Sequence, residues 1–194
     1  LSYYRAELRK SPEAIDYLKG RGLSGEIAAR YGLGFAPDSW QSLKGLFPDY
    51  EAEAMKDTGL VIDSEAAEGR EGEPARKARR YDRFRGRVMF PIFSVSKKVL
   101  GFGARTLKGD EQPKYLNSPE TPVYVKSRVL YGLAQSQRAV RDTDSVILVE
   151  GYADLISLYQ EGIQNVVATS GTALTPDQVN LLARYTRNFY FLYD

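Results

Sequence analysis

The sequence predicts an α/β protein in two parts: an α+β N-terminal subdomain and a smaller α/β subdomain built on a parallel sheet. Three observations carry this. From about residue 144, apolar runs and amphipathic stretches alternate as β-α-β-α-β, the order that parallel strands with right-handed crossovers require. Ahead of them, two apolar runs, Val88–Phe93 and Val99–Gly103, flank a polar gap of hairpin size. The first forty residues carry two helix-start signals.

Ser11-Pro12-Glu13 is the first of these. Serine caps, proline suits the first helical position, and glutamate complements the positive end of the dipole. That helix runs through Ile15 and Leu18 to Gly20. Ser24-Gly25-Glu26 opens another, with Ile27 and Tyr31 on one face, and residues 32–37 break it. Residues 63–80 are rich in Ala, Glu, Gly and Arg and hold no large apolar side chain, so they read as an exposed loop or insert. Residues 110–128 read as a long ordered loop, a feature that in compact domains usually serves function. Val146–Val149 then forms a buried strand. Tyr152, Leu155, Ile156 and Tyr159 make one helical stripe that Gly162 ends. Val166–Ala168 is the second strand, Thr175-Pro176-Asp177-Gln178 a capping box, and residues 189–193 the third strand. The expected division is 1–140 and 141–194.

The chain has no cysteine and no histidine. Disulfides, thiolate nucleophiles, Cys/His zinc sites and histidine acid–base chemistry are therefore excluded. Chemistry falls to carboxylates, Lys, Tyr, Ser and Thr, and a carboxylate site suits hard cations such as Mg²⁺ or Mn²⁺. No run approaches the ~18 apolar residues of a membrane span, and the polar N-terminus is no signal peptide. The lack of cysteine is compatible with the cytoplasm. The net charge of +2 conceals an asymmetry: residues 76–128 hold 14 basic and 4 acidic residues, whereas 141–194 hold 3 basic and 7 acidic. A basic stretch beside an acidic one suits a polyanion handled next to a metal site, although a solvated basic face would leave the same count.

Two predicted strands end in an acid, Glu150 and Asp194. In an open parallel sheet the C-terminal strand ends form the ligand crevice, so neighbouring strands would bring both carboxylates into it. Helix capping or loop solvation is the plainer use of such acids. Gly151 lets backbone amides approach a phosphate, and Asp154 is either a partner behind Glu150 or an acid favoured by a helix N-terminus. Arg83, Arg85 and Arg87 alternate at strand spacing and share one face if that segment is extended. Arg105, Lys114, Tyr115, Asn117, Lys126 and Arg128 complete a set suited to a nucleic-acid strand, with cations for phosphates and tyrosine for base stacking.

Several segments together resemble the Toprim-type bacterial DNA primases. They are Tyr17-Leu18 with Arg21-Gly22-Leu23-Ser24; Gly34-Phe35-Ala36-Pro37; Tyr81-Asp82-Arg83-Phe84-Arg85-Gly86-Arg87 and the apolar run after it; and Gly101-Phe102-Gly103-Ala104-Arg105. The rest are Pro113-Lys114-Tyr115-Leu116-Asn117-Ser118-Pro119-Glu120-Thr121, Leu130-Tyr131-Gly132-Leu133 and Val149-Glu150-Gly151-Tyr152-Ala153-Asp154. The loop at 113–121 is the most specific of them. The resemblance implies a basic-ridge subdomain followed by a Toprim fold that binds two or three Mg²⁺ or Mn²⁺ ions. It implies Glu150 as the metal-site and acid–base glutamate, and Asp194 as the first aspartate of an Asp-x-Asp metal motif. It also implies Arg85, Arg87 and Arg105 as template-guiding positions, with Lys114, Tyr115, Asn117 and Lys126 near the incoming nucleotide. The expected reaction joins ribonucleoside triphosphates on single-stranded DNA at a cytoplasmic replication fork. Replicative helicase and single-strand-binding protein would be met through regions outside this sequence.

The sequence departs from the family pattern where it stops at Asp194, before the further carboxylates, and in lacking the zinc-binding domain. Weak metal binding is therefore expected of it, with no zinc. Two alternatives stay open. One is another Toprim enzyme such as a topoisomerase, against which the 113–121 loop speaks; the other is a non-catalytic single-stranded-DNA-binding module.

Overall fold

A computed structural model describes residues 1–65, 78–109, 111–171 and 173–193. Three helices open the chain: α1 (Ser2–Arg9), α2 (Pro12–Gly20) and α3 (Gly25–Tyr31). The two expected starts are there. Ser11 accepts from Ala14 N at 3.3 Å, Ser24 accepts from Ile27 N at 3.2 Å, and Gly32 ends α3 in the left-handed conformation at φ 67°. Helix α1 was not anticipated. It has no side-chain cap, and its two buried residues, Tyr4 and Leu8, give too short a periodic signal.

The first sheet has the order β1-β4-β5-β6, all antiparallel, with β1 (Gly34–Ala36), β4 (Arg87–Phe93), β5 (Val99–Thr106) and β6 (Tyr115–Asn117). The expected β4–β5 hairpin is closed by Ser94 N donating to Lys98 O at 2.8 Å. Strand β6 lies inside the stretch expected to be loop; only three residues pair, too few for an alternating pattern to stand out. Helix α4 (Glu53–Asp57) precedes a separate antiparallel pair, β2 (Val61–Ser64) and β3 (Arg79–Asp82). These two strands overturn the loop reading at both ends of 63–80. Cross-strand partners such as Asp63 and Arg80 stabilise a pairing that composition alone disguised. Residues 66–77 lie outside the described residues.

The second sheet is parallel with the order β8-β7-β9: β7 (Val146–Val149), β8 (Val166–Ala168) and β9 (Phe189–Phe191). Helices α6 (Tyr152–Gln160) and α7 (Pro176–Leu182) are the crossovers. The predicted stripe Tyr152, Leu155, Ile156 and Tyr159 is wholly buried, and the Thr175/Gln178 capping box is formed. Helix α5 (Leu133–Thr143) runs across residue 140, where the two parts were expected to divide. Its buried Leu133 and Val140 share a core with Val146, Leu148, Val167 and Leu182, so by packing it belongs to the parallel sheet.

The two parts share one core. Val88, Phe90 and Ile92 of β4 pack with Tyr131, Tyr152, Leu155 and Ile156. Each such side chain removed from water contributes about 1.5–3 kcal/mol. The Tyr152 ring stacks on Phe90 at 5.1 Å and 13°, and meets Tyr131 edge-on at 4.6 Å. Gly103 of β5 makes room for it: a Cβ there would lie 2.5 Å from Tyr152 Cε2.

Candidate nucleic-acid and nucleotide site

β7 is the central strand of the parallel sheet, and its C-terminal end carries Glu150, which is exposed. The strand neighbouring it on one side is β9, in parallel register with Leu148 opposite Phe191. Pairing continues beyond β9, since Leu192 N donates to Leu148 O at 2.9 Å. Tyr193 thereby comes beside Glu150; burial, and after it that carboxylate, push the tyrosine hydroxyl up. The condition for a shared crevice, adjacent strands, is therefore met. Asp194 itself lies outside the described residues.

Gly151 precedes α6, and Asp154 in its first turn is exposed. A Cβ at Gly151 would lie 2.5 Å from Asp154 Oδ2, so this carboxylate leans back over the glycine toward the strand end. Glu150 and Asp154 are hard oxygen donors. Among the described residues no cluster of three metal-ligating side chains occurs. Two carboxylates with phosphate oxygens and water fit Mg²⁺, which is usually bound by one or two carboxylates.

The long loop reaches this strand end through a closed circuit of hydrogen bonds. Ser170, just past β8, donates its N–H to Glu150 O at 3.0 Å. Asn117 Nδ2 donates to Ser170 O at 3.1 Å. The Tyr152 hydroxyl donates to Asn117 Oδ1 at 2.8 Å. Burial raises the Tyr152 pKa well above the usual tyrosine value, so the hydroxyl stays protonated and acts as a fixed donor. Asn117 and Lys126, from the loop, and Thr169 and Ser170, from the parallel sheet, line one small cavity of about 10 Å³, room for about one water. Lys126 is set by α7: Gln178 Nε2, fully buried, donates to Lys126 O at 3.1 Å and to Val129 O at 2.9 Å. Thr169 and Ser170 were not anticipated. The only sequence signal for them is their place after an apolar run that becomes a parallel strand.

The arginines separate. Arg83, Arg85 and Arg87 do not lie on one extended strand: β3 ends at Asp82, β4 begins at Arg87, and Gly86 at φ 59° turns the chain just before Arg87. Arg83 donates twice to Asn117 O, at 3.2 and 3.0 Å, and burial lowers its pKa. It shapes the loop from behind. Arg87 is only 4% exposed; it pairs with Glu111 at 3.0 Å and donates to Pro113 O at 2.9 Å, so its charge is used internally. Arg85 is half-buried and lies over Trp40 at 4.2 Å. Arg105 is held between the Tyr17 and Tyr115 rings at 5.3 and 5.4 Å. Lys114 and Tyr115 are exposed, next to Arg105. Arg128 is exposed and pairs with Asp177 at 2.9 Å.

The loop is docked on a parallel strand end through Asn117 and Tyr152. The family described as "DNA primase catalytic core, N-terminal domain" matches residues 3–137, and a Toprim-like family matches 147–194. The chain belongs to the DNA primase catalytic-core family. A DNA primase of Legionella pneumophila is 47% identical over 99% of this primase-core chain. The chain spans 31% of that relative's length. A DNA primase domain from Pseudomonas aeruginosa has the same fold, with a TM-score of 0.85 at 43% identity, over 98% of this chain and 57% of the other. A primase catalytic domain bound to single-stranded DNA matches with a TM-score of 0.84 at 39% identity, over 98% of this chain and 59% of the other. No helix among the described residues of the primase core is long and apolar enough to cross a membrane.

Proposed function

We propose that this chain forms the template-binding and nucleotide-binding part of a replicative primase, which joins ribonucleotides on single-stranded DNA with release of pyrophosphate. The circuit from Glu150 through Ser170 and Asn117 to Tyr152 carries this reading, because it ties a basic, tyrosine-bearing loop to the acidic end of a parallel strand. Glu150, with Asp154 behind it and Asp194 expected beside it, would hold Mg²⁺ or Mn²⁺. When bound, such an ion neutralises charge on the transferring phosphate.

The protein's own groups orient the strand and the nucleotide. The ammonium of Lys126 has no internal partner among the described residues, and the residue lines the small cavity beside Asn117 and Ser170, which supports it as a cation for the triphosphate. Lys114 is likewise exposed, beside Tyr115, whose face suits an unpaired base. Arg105 is pre-oriented by its two tyrosines for a template phosphate. Arg83 and Arg87 act indirectly, by fixing the carbonyls of Asn117 and Pro113. The positive excess is sequence-independent, so binding weakens as salt rises.

The test is primer synthesis on single-stranded DNA with ribonucleotides and Mg²⁺, with this chain set in place of the matching segment of a full-length DNA primase relative and Glu150→Gln beside it. Short RNA from the parent and none from the variant supports the reading. If both bind single-stranded DNA yet neither makes RNA, the chain is a template-binding module and the catalytic assignment falls.

A further inference from the structure

At the end of α6 remote from Glu150, the two parts of the chain leave a cavity of about 260 Å³ between them. Arg30 of α3, Phe93 of β4 and Lys97 of the β4–β5 turn line it from the first part. Ala134 and Gln135 of α5 and Tyr159 of α6 line it from the second. Its size is close to the ~300 Å³ at which small-molecule sites begin. No acid lines it, and neither Arg30 nor Lys97 is ion-paired among the described residues.

Both cations are exposed yet held in place. Arg30 Nη1 donates to the Tyr159 hydroxyl at 3.5 Å, and the guanidinium lies 5.8 Å from that ring's centre. Lys97 is in the left-handed region at φ 64°, in a turn tied by Lys97 N donating to Ser94 O at 2.8 Å and Lys98 N donating to Ser94 Oγ at 3.0 Å. Behind the wall, Gln135 Oε1 is buried and has no hydrogen-bond partner among the described residues. An acceptor left in that state costs free energy. The last torsion of a glutamine side chain turns easily, so a donor in the cavity would recover the bond. Half-buried Phe93 adds an aromatic surface.

We propose that this cavity binds a small phosphate ester carrying a flat, N–H-bearing ring, of the size of a nucleoside monophosphate. The phosphate meets Arg30 and Lys97, and a guanidinium fork matches phosphate oxygens two at a time. The ring packs on Phe93 and Ala134 and donates an N–H to Gln135 Oε1. Such a ligand touches both parts at once, so it binds only while they are packed together and stabilises that packing. Helix α6 links the cavity to the Glu150 strand end, about 12 Å away along its axis. The cavity includes no residue of the Glu150 site, so the proposal stands or falls apart from the primase reading.

The chain is titrated calorimetrically with AMP and with GMP in EDTA and melted in their presence, with adenosine and inorganic phosphate as comparators. The monophosphates are expected to bind and to raise Tm by roughly 5–10 °C at about 100 times their Kd. Adenosine and phosphate bind at least about tenfold more weakly, because each makes only part of the contacts. Arg30→Gln and Lys97→Asn each weaken binding about 5- to 50-fold and leave the Tm of the free chain unchanged; asparagine tolerates the left-handed backbone at 97. Gln135→Met weakens binding about 2- to 10-fold without lowering the free chain's Tm, since the acceptor it removes had no partner. Lys126→Gln leaves binding as it was. The proposal is overturned if neither monophosphate binds, or if adenosine or inorganic phosphate binds as tightly. It is equally overturned if binding survives Arg30→Gln and Lys97→Asn but is lost in Lys126→Gln, which would assign the nucleotide to the proposed primase site.

Discussion

Replacing Gly103 by alanine tests the joint between the two parts of the chain. The new Cβ would lie 2.5 Å from Tyr152 Cε2 and nearer still to the ring's hydroxyl end. Tyr152 has nowhere to go: it is 2% exposed, stacked on Phe90 and capped edge-on by Tyr131. Relief requires β5 to move or the ring to leave its slot. Overpacking of this kind costs about 1–3 kcal/mol. Displacing the ring also breaks its hydrogen bond to Asn117, about 1 kcal/mol more. The sum, roughly 2–4 kcal/mol, corresponds to a Tm lower by roughly 5–15 °C for a chain of this size. The assay is a thermal melt of Gly103→Ala beside Gly109→Ala, whose Cβ would meet nothing within 4 Å. In a Tyr152→Leu background the clash is removed, so Gly103→Ala then costs little. A Gly103→Ala protein that melts within about 1 °C of the parent would refute the reasoning.

Three further outcomes follow from the same contacts. Tyr152→Phe keeps the buried ring and loses only the bond to Asn117, so it costs about 1 kcal/mol in urea unfolding and raises KM for nucleotide in the primer-synthesis assay before it lowers thermal stability much. Asp82→Ala strands the Leu43 N–H and the buried Tyr50 hydroxyl, costing about 3–5 kcal/mol by urea unfolding. The Asp63 carboxyl is held below the usual carboxylate range, first by its hydrogen bonds from Arg80 at 2.6 and 2.9 Å. A depressed pKa contributes stability above the ordinary aspartate value of about 3.9 that is lost as pH falls through the lowered one. The pair is partly exposed, so Asp63→Asn costs under about 1 kcal/mol at pH 7 and progressively less as pH falls through the lowered value, as melts across an acid range would register.

Legibility followed how local the causes were. The Ser11, Ser24 and Thr175 caps each form within three residues, and the sequence announced all of them. The Tyr152–Tyr159 stripe was readable because one helix face repeats it. Helix α1 and strands β2, β3 and β6 were not readable, because each is short and held by partners far along the chain. Among the site residues, the acidic strand end and the Lys114–Asn117 loop were visible as motifs. The fates of the three arginines were not: alternation at strand spacing assumes a straight strand, whereas residues 83–86 fall between β3 and β4, and each side chain meets a different partner.

By itself, then, the sequence determined the α/β class, the parallel order of the last three strands, the exclusion of thiol and imidazole chemistry, and the family. These depend on composition, on local periodicity and on motifs that survive without knowledge of contacts. Only the tertiary structure decided which cations remain available. It buried Arg87 on Glu111, set Arg83 behind Asn117, and left Arg85 over an open Trp40. It also brought the loop against the acidic strand end, since Tyr152, Asn117 and Ser170 are separated in sequence and meet only when β5 packs against α6. A charge's availability depends on what surrounds it, and that surrounding is assembled from distant segments during folding.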